Sequence, residues 1–232
     1  MIRMNTDVQT RESQAWSHSI ESGLKSRVLG RPLIGYEETT STNDVLKRLA
    51  IDGAPEGLTV VAQSQTSGRG RQGRGWASID GQGVYMSVLL RPELQVADVG
   101  WLSMLGGVSV LTALEELGVA DLSLKWPNDV LARGRKISGI LIEPRIGEGK
   151  TEFAVVGVGI NVGQHADSWQ DDMREIATSC RMEGIDLSVE TVLARTLEEL
   201  DRWYMALKSP EREQLVAEWV KRGGTSRMPV VD

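Results

Sequence analysis

Nine consecutive residues, Gly68-Arg69-Gly70-Arg71-Gln72-Gly73-Arg74-Gly75-Trp76, hold four glycines, three arginines and one indole. Glycine opens positive φ to the backbone and lets main-chain N–H groups come close to a bound group. Arginine supplies a permanent cation whose planar fork matches phosphate or carboxylate oxygens. Together they make a loop suited to closing over an anion, with Trp76 as an apolar plate beside the charge. A flexible RNA-binding Gly/Arg tract is the competing reading, but such tracts repeat within low-complexity surroundings. This stretch occurs once, between the apolar runs Leu58-Thr59-Val60-Val61-Ala62 and Val84-Tyr85-Met86-Ser87-Val88-Leu89-Leu90. Both runs read as strands.

Such a loop needs a frame. At 232 residues, 41% hydrophobic and 25% charged, the chain can bury a full core as an ordinary globular protein. Its 26 basic and 32 acidic residues leave a net charge of −6, which opposes non-specific nucleic-acid binding. The single cysteine, Cys180, forms no intrachain disulfide, and no Cys/His cluster suits zinc. No apolar run reads as long enough to span a membrane, and residues 1–16 are too polar for a signal peptide, so a cytoplasmic protein is expected.

Residues 1–16 read as a polar, mobile extension, followed by a short helix over 20–28 that Gly30 and Pro32 end. Ser41-Thr42-Asn43-Asp44 opens a helix through about Ala50, with Val45, Leu46 and Leu49 as its apolar stripe. After the glycine loop and its flanking strands comes a longer helix over 98–117, stopped by Gly118. Its small apolar centre, Leu105-Gly106-Gly107-Val108-Ser109, permits close packing on a sheet. Strands are expected over 122–126, 136–144 and 152–161, with turns at Arg133-Gly134-Arg135 and Gly147-Glu148-Gly149-Lys150. Helices over 188–207 and 210–222 complete the chain. Strands in hairpin-like succession predict an α+β fold, a mixed and largely antiparallel sheet backed by helices, rather than a doubly wound one. The glycine loop also lacks the spacing and following helix of a dinucleotide fingerprint.

Four further segments accompany the loop: Ser41-Thr42-Asn43; Gln65; Lys125-Trp126-Pro127-Asn128-Asp129 with Lys136-Ile137-Ser138-Gly139-Ile140-Leu141-Ile142-Glu143; and Gly157-Val158-Gly159-Ile160-Asn161-Val162. In this order and spacing they closely resemble the catalytic domain of biotin protein ligases, over about residues 20–222. The resemblance implies ATP-dependent conversion of biotin to biotinyl-5′-AMP, with Mg²⁺, and transfer to a lysine of a biotin carboxyl carrier protein or domain. It implies no nucleic-acid or membrane partner and allows a homodimer. The residues suit that reaction class on their own account. Joining two anions needs positioning and charge neutralisation rather than an enzyme nucleophile.

The resemblance also implies roles. Ser41, Thr42, Asn43 and Gln65 fall at the biotin ring, with an ordinary helix cap as the other reading of Ser-Thr-Asn. Trp76 packs on the apolar part of biotin, or else is a core tryptophan. Arg69 and Arg71 clamp carboxylate and α-phosphate, and the backbone of Gly68 and Gly70 approaches the adenylate. Arg74 contacts pyrophosphate or only solvates the loop. Lys136 sits at the carboxylate–phosphate junction as the leading catalytic candidate, and Lys125 serves the phosphates. Asn128 and Asp129 position ATP and Mg²⁺, Asp129 being the metal candidate. Gly157 and Gly159 let a strand lie against biotin, and Asn161 reads the adenine edge.

The ends depart from the family pattern. Too few residues precede the matched region for a helix-turn-helix domain, so a repressor role is not expected. Residues 223–232 fall where an SH3-like barrel would begin, leaving that barrel absent or truncated and a catalytic domain over 17–222. Two other readings stand beside this one: a lipoate–protein ligase, whose glycine signature differs, and a non-enzymatic biotin- or nucleotide-binding module, which has less need of both Lys125 and Lys136.

Overall fold

Seven strands pair into one sheet: β1 (Leu33–Thr39), β2 (Thr59–Gln65), β3 (Gly83–Leu90), β4 (Leu122–Lys125), β5 (Asp129–Ala132), β6 (Arg135–Gly147) and β7 (Lys150–Asn161). The computed structural model describes residues 7–169 and 171–223. Strand order is β1-β2-β3-β7-β6-β5-β4. β1 and β2 run parallel and every other neighbouring pair is antiparallel, as the hairpin-like succession of strands predicts. Two hairpins close through paired positive φ angles, at Arg133 (48°) and Gly134 (79°) and at Glu148 (49°) and Gly149 (78°). This is the two-residue turn whose twist matches that of the strands.

Side chains alternate between the two faces of the sheet. Met86, Val88, Val156, Val158, Ile140 and Ile160 point to the face covered by α1 (Arg11–Gly23), α3 (Gly100–Glu116), α5 (Val189–Leu207) and α6 (Glu213–Arg222), where the main core lies. The glycine pair of α3 serves this packing. A Cβ on Gly106 would stand 2.8 Å from Ile140 of β6, and one on Gly107 2.8 Å from Trp219 of α6. Covered on both sides, α3 is apolar all round. On length and composition alone residues 96–116, with mean hydropathy 1.4, would suffice to cross a membrane, contrary to the sequence expectation. Their burial among sheet, α5 and α6 makes this stretch the core helix instead.

The opposite face carries a smaller core. There α2 (Thr42–Ile51) buries Val45, Leu46 and Ala50 against Val60, Leu89, Phe153 and Val155. Because α2 covers only part of this face, the neighbouring stretch of β3, β7 and β6 is left for the glycine loop.

Three local expectations need correction. The first helix is α1 at Arg11–Gly23, not 20–28, so it begins inside the segment expected to be a mobile extension. Thr10 and Ser13 form a reciprocal capping box, each backbone N–H donating to the other's hydroxyl at 3.0 Å. Residues 24–32 are instead a loop, its N–H groups at Arg27, Val28 and Leu29 all donating to the Asp201 carboxylate. Next, β5 is a strand absent from the sequence reading. Its four residues are too short to show a period, and the Lys125-Trp126-Pro127-Asn128-Asp129 motif masks its start. Finally, the 210–222 helix divides into a 3₁₀ turn at Pro210–Arg212 and α6. Residues 224–232, where a barrel was expected to begin, lie outside the described residues.

Candidate active site

The glycine loop is itself a small hairpin. Trp76 N–H donates to the Gly68 carbonyl at 2.9 Å and Gly70 N–H to the Arg74 carbonyl at 2.7 Å. The tip turns at Gln72 (φ 56°) and Gly73 (φ 74°). Its roots are fixed to the sheet: Thr66 and Ser67 N–H donate to the Thr39 and Thr40 carbonyls, and the Tyr85 hydroxyl both donates to and accepts from the backbone of Ile79. The loop is therefore structured, as its single occurrence between strands suggests. Gly68 is needed because a Cβ there would meet the Trp76 carbonyl at 2.6 Å.

A chain of neutral polar side chains runs beneath the loop. Gln65 donates from Nε2 to Ser78 Oγ at 3.1 Å, and its Oε1 accepts from Thr42 N–H at 2.9 Å and from the Thr42 hydroxyl at 3.2 Å. Ser87 Oγ lies 2.8 Å from Thr42 Oγ1 and 2.5 Å from Asn43 Oδ1, its single proton serving one of them. Asn43 Nδ2 donates to Glu143 Oε2 at 2.8 Å. Gln65 thus satisfies an N–H at the start of α2, and the Ser41 side chain makes no capping hydrogen bond. Hydroxyl capping by Ser41, the competing reading of Ser-Thr-Asn, is not what the structure contains.

Glu143 ends this chain and is its charged anchor. It takes Lys47 Nζ at 2.6 Å and Arg69 Nη2 at 2.6 Å, while the same Arg69 nitrogen reaches Asp44 Oδ1 at 2.7 Å. Partial burial works against ionisation of Glu143. Hydrogen bonds from Lys47 and Asn43 and the Arg69 charge outweigh it and hold the carboxyl below its ordinary range.

Beside the polar chain lies a glycine floor. Gly139 of β6 and Gly159 of β7 are register partners, and the Trp76 indole lies over both. A Cβ would meet the ring at 2.9 Å from Gly139 and at 2.5 Å from Gly159. Trp76 Nε1 is buried there without a hydrogen-bond partner. Lys136 Nζ stands 5.5 Å from the centre of the same indole and 2.7 Å from Asp129 Oδ1. Trp76 and Lys136, both candidates from the sequence, are therefore brought together.

Other candidates are committed elsewhere. Arg69, expected to clamp carboxylate and phosphate, is held by two carboxylates. The Gly70 N–H, expected to face the adenylate, is used inside the loop. The space over Gly157 is filled by Asn43, whose Oδ1 would stand 2.1 Å from a Cβ at that position, and the space over Gly159 by Trp76. Asn128 brackets Ile140, donating from Nδ2 to its carbonyl at 3.0 Å and accepting its N–H at 2.9 Å. Asn161 is buried at the end of β7 and donates to the Thr178 carbonyl at 2.9 Å. Arg71, Arg74 and Lys125, by contrast, are exposed and make no ion pair among the described residues. No group of three His, Cys, Asp or Glu side chains among the described residues suits a metal ion. With Asp129 paired to Lys136, the donor set does not fit a resident Mg²⁺.

Ser87, Gly139 and Glu143 were missed as site residues. A lone hydroxyl in the apolar run Val84-Tyr85-Met86-Ser87-Val88 was the available signal for the first, and a glycine within a strand for the second. Glu143 ends a segment that the resemblance singles out, but its partners Lys47, Asn43 and Arg69 are far away in sequence. Cys180 is buried, which pushes its thiol up to about 12, so it has no thiolate for chemistry.

Residues 35–161 match the Biotin/lipoate A/B protein ligase family. The bifunctional ligase/repressor BirA of Bacillus subtilis is 41% identical over 160 residues, 69% of this chain and 49% of that protein. A biotin–[acetyl-CoA-carboxylase] ligase of Mycobacterium tuberculosis is 38% identical over 196 residues, 78% of this chain and 69% of that one. Among solved structures, biotin protein ligase from Aquifex aeolicus in complex with biotin and ATP superposes with a TM-score of 0.70 at 33% identity, over 82% of this chain and 78% of that one. The chain spans about half the length of the first curated relatives it matches.

Proposed function

The chain belongs to the biotin/lipoate A/B protein ligase family, and on that premise we propose that it activates biotin with ATP to biotinyl-5′-AMP. It then passes the biotinyl group to a lysine of a biotin carboxyl carrier domain, in the cytoplasm. In the first step a biotin carboxylate oxygen attacks the α-phosphorus, the bond to the bridging oxygen breaks, and pyrophosphate leaves. In the second the neutral lysine amine attacks the acyl carbon, AMP leaves, and the amine proton is lost to solvent. Both steps place charge on phosphate oxygens and neither needs an enzyme nucleophile.

One observation carries this reading: an uncharged hydrogen-bonding cluster adjoins a cationic one on a single sheet face. Ser41, Thr42, Asn43, Gln65 and Ser87 offer neutral donors and acceptors, which suits a cyclic urea with its carbonyl and two N–H groups. The dithiolane of lipoate has only weakly accepting sulfurs. It would leave such groups unpaired, at about 1–3 kcal/mol each. Lys136, steadied by Asp129 and Trp76, is the residue for the carboxylate–phosphate junction. Arg71, Arg74 and Lys125 are the cations free to take the phosphates, with Mg²⁺ arriving as the counter-ion of ATP. Arg69 then serves by fastening the loop to α2 and β6. In this reading Trp76 occupies the slot over Gly159 until a ligand shares it.

ATP–pyrophosphate exchange with biotin, with lipoate and with no acid tests the proposal. Exchange that depends on biotin is the expected result; exchange driven by lipoate, or by neither acid, overturns it.

A further inference from the structure

Glu183 lies outside every segment considered so far, yet its carboxylate is the most enclosed acid near Lys136. Its side chain is 2% exposed and takes Arg135 Nη2 at 3.0 Å, with Arg133 Nε at 3.6 Å. The Thr178 hydroxyl donates to its Oε1 at 2.5 Å. A buried carboxylate with this many donors is costly to leave unpaired, so it holds what it touches.

What it touches is the short segment 176–180, wedged between two site residues. Lys136 N–H donates to the Ile176 carbonyl at 2.7 Å, and the Lys136 carbonyl accepts from Thr178 N–H at 2.9 Å, forming a parallel bridge with Ala177. On the other side, Asn161 donates to the Thr178 carbonyl, and the Asn161 carbonyl accepts from Cys180 N–H at 3.2 Å. Both backbone groups of Lys136 are thus set by a segment that Glu183 grips through Thr178. Arg135, the residue before Lys136, is gripped by the same carboxylate. The irregular register of β5 and β6 beside Leu131 leaves the β-ladder less able to fix Lys136 alone.

We infer that Glu183 is a positioning residue for adenylation: through Thr178 and Arg135 it fixes the backbone of Lys136, and so where the ammonium meets the reacting carboxylate and phosphate. This rests on the proposed role of Lys136. Glu183 touches no substrate, and the biotin cluster at Thr42 and Gln65 does not depend on it.

Three variants test this: Glu183→Ala, Glu183→Gln and Thr178→Val. Glu183→Ala should lower kcat for biotin-dependent exchange by on the order of ten- to a hundredfold, the scale of a small misplacement of a reacting group. Biotin affinity by calorimetry should be unchanged. Glu183→Gln keeps an acceptor for Thr178 and should recover part of kcat. Thr178→Val removes only the hydroxyl and should follow Glu183→Ala in direction, even if the alanine variant fails to fold. Faster hydrogen exchange at the Lys136 amide in the variants is expected whether or not the wild type is active. An unchanged kcat, an unchanged Lys136 amide, or biotin affinity falling in step with kcat overturns the inference. Failure of wild-type exchange with an altered Lys136 amide overturns the adenylation reading instead.

Discussion

Single side chains decide what the loop can do, and Glu143 is the clearest case. Its carboxyl is held below the ordinary value of 4.5 despite burial, because Lys47, Asn43 and Arg69 favour the charged form. A lowered folded pKa means that stability is fully present above 4.5 and is lost as pH falls through the folded value. Wild type should therefore be more stable than Glu143→Gln near neutral pH, and urea titrations should show the difference closing below pH 4.5. A difference independent of pH would show that shape, not charge, anchors Arg69. Lys136 makes a different prediction. With its ammonium beside Trp76 and Asp129, Lys136→Ala should cut biotin-dependent exchange by about a hundredfold or more, as for other preorganised charge-stabilising groups. Far-ultraviolet circular dichroism should be unchanged. Exchange near the wild-type rate in a folded variant would remove Lys136 from the reaction.

Elements bring these residues together, and the β6–β7 pair does most of it. Gly139 and Gly159 face each other in register and leave a flat floor for Trp76. In Gly159→Ala the new methyl would stand 2.5 Å from the indole, so the ring must move. Overpacking of this kind costs about 1–3 kcal/mol. Thermal unfolding should show that loss, together with a change in tryptophan emission. Gly100→Ala, at the open first turn of α3 with nothing within 4 Å, is the control and should be neutral or slightly stabilising. A Gly159→Ala protein as stable as wild type would show that the floor is not closely packed. Much of this was legible in the sequence. The loop, its two strands, α2, α3 and both hairpin turns follow from glycine placement and apolar period. The pairing of Gly139 with Gly159 was not, because register is a long-range property that neither strand encodes alone. Arg69 meets a related limit. Its sequence neighbours suggest an anion ligand, but Asp44 and Glu143 reach it only once the sheet is assembled. The capping box of Thr10 and Ser13 is not part of the sequence reading, because the polar composition around it reads as an extension.

Across the whole molecule, the site is shared between the two ends of the domain. The meander from β4 to β7 is built of neighbours in sequence, with Gly147 pairing to Lys150 across a two-residue turn. The polar cluster instead requires α2 and β3 to reach β7 and β6, and the Asn43–Glu143 bond joins residues 100 apart. Closing long loops is slow compared with forming hairpins. On refolding from urea, amides in β6 and β7 should gain protection from pulse hydrogen exchange before biotin-binding capacity returns. Substitutions in the β6–β7 turn should slow folding, while Asn43→Ala should mainly speed unfolding. Protection and binding that recover together would contradict this. The order matters for a newly made chain: the meander can stand with its glycine floor open and its apolar strand face uncovered. In that order the docking of α2 and the glycine loop comes last, and it both completes the polar cluster and hides a surface on which unfinished chains would otherwise associate.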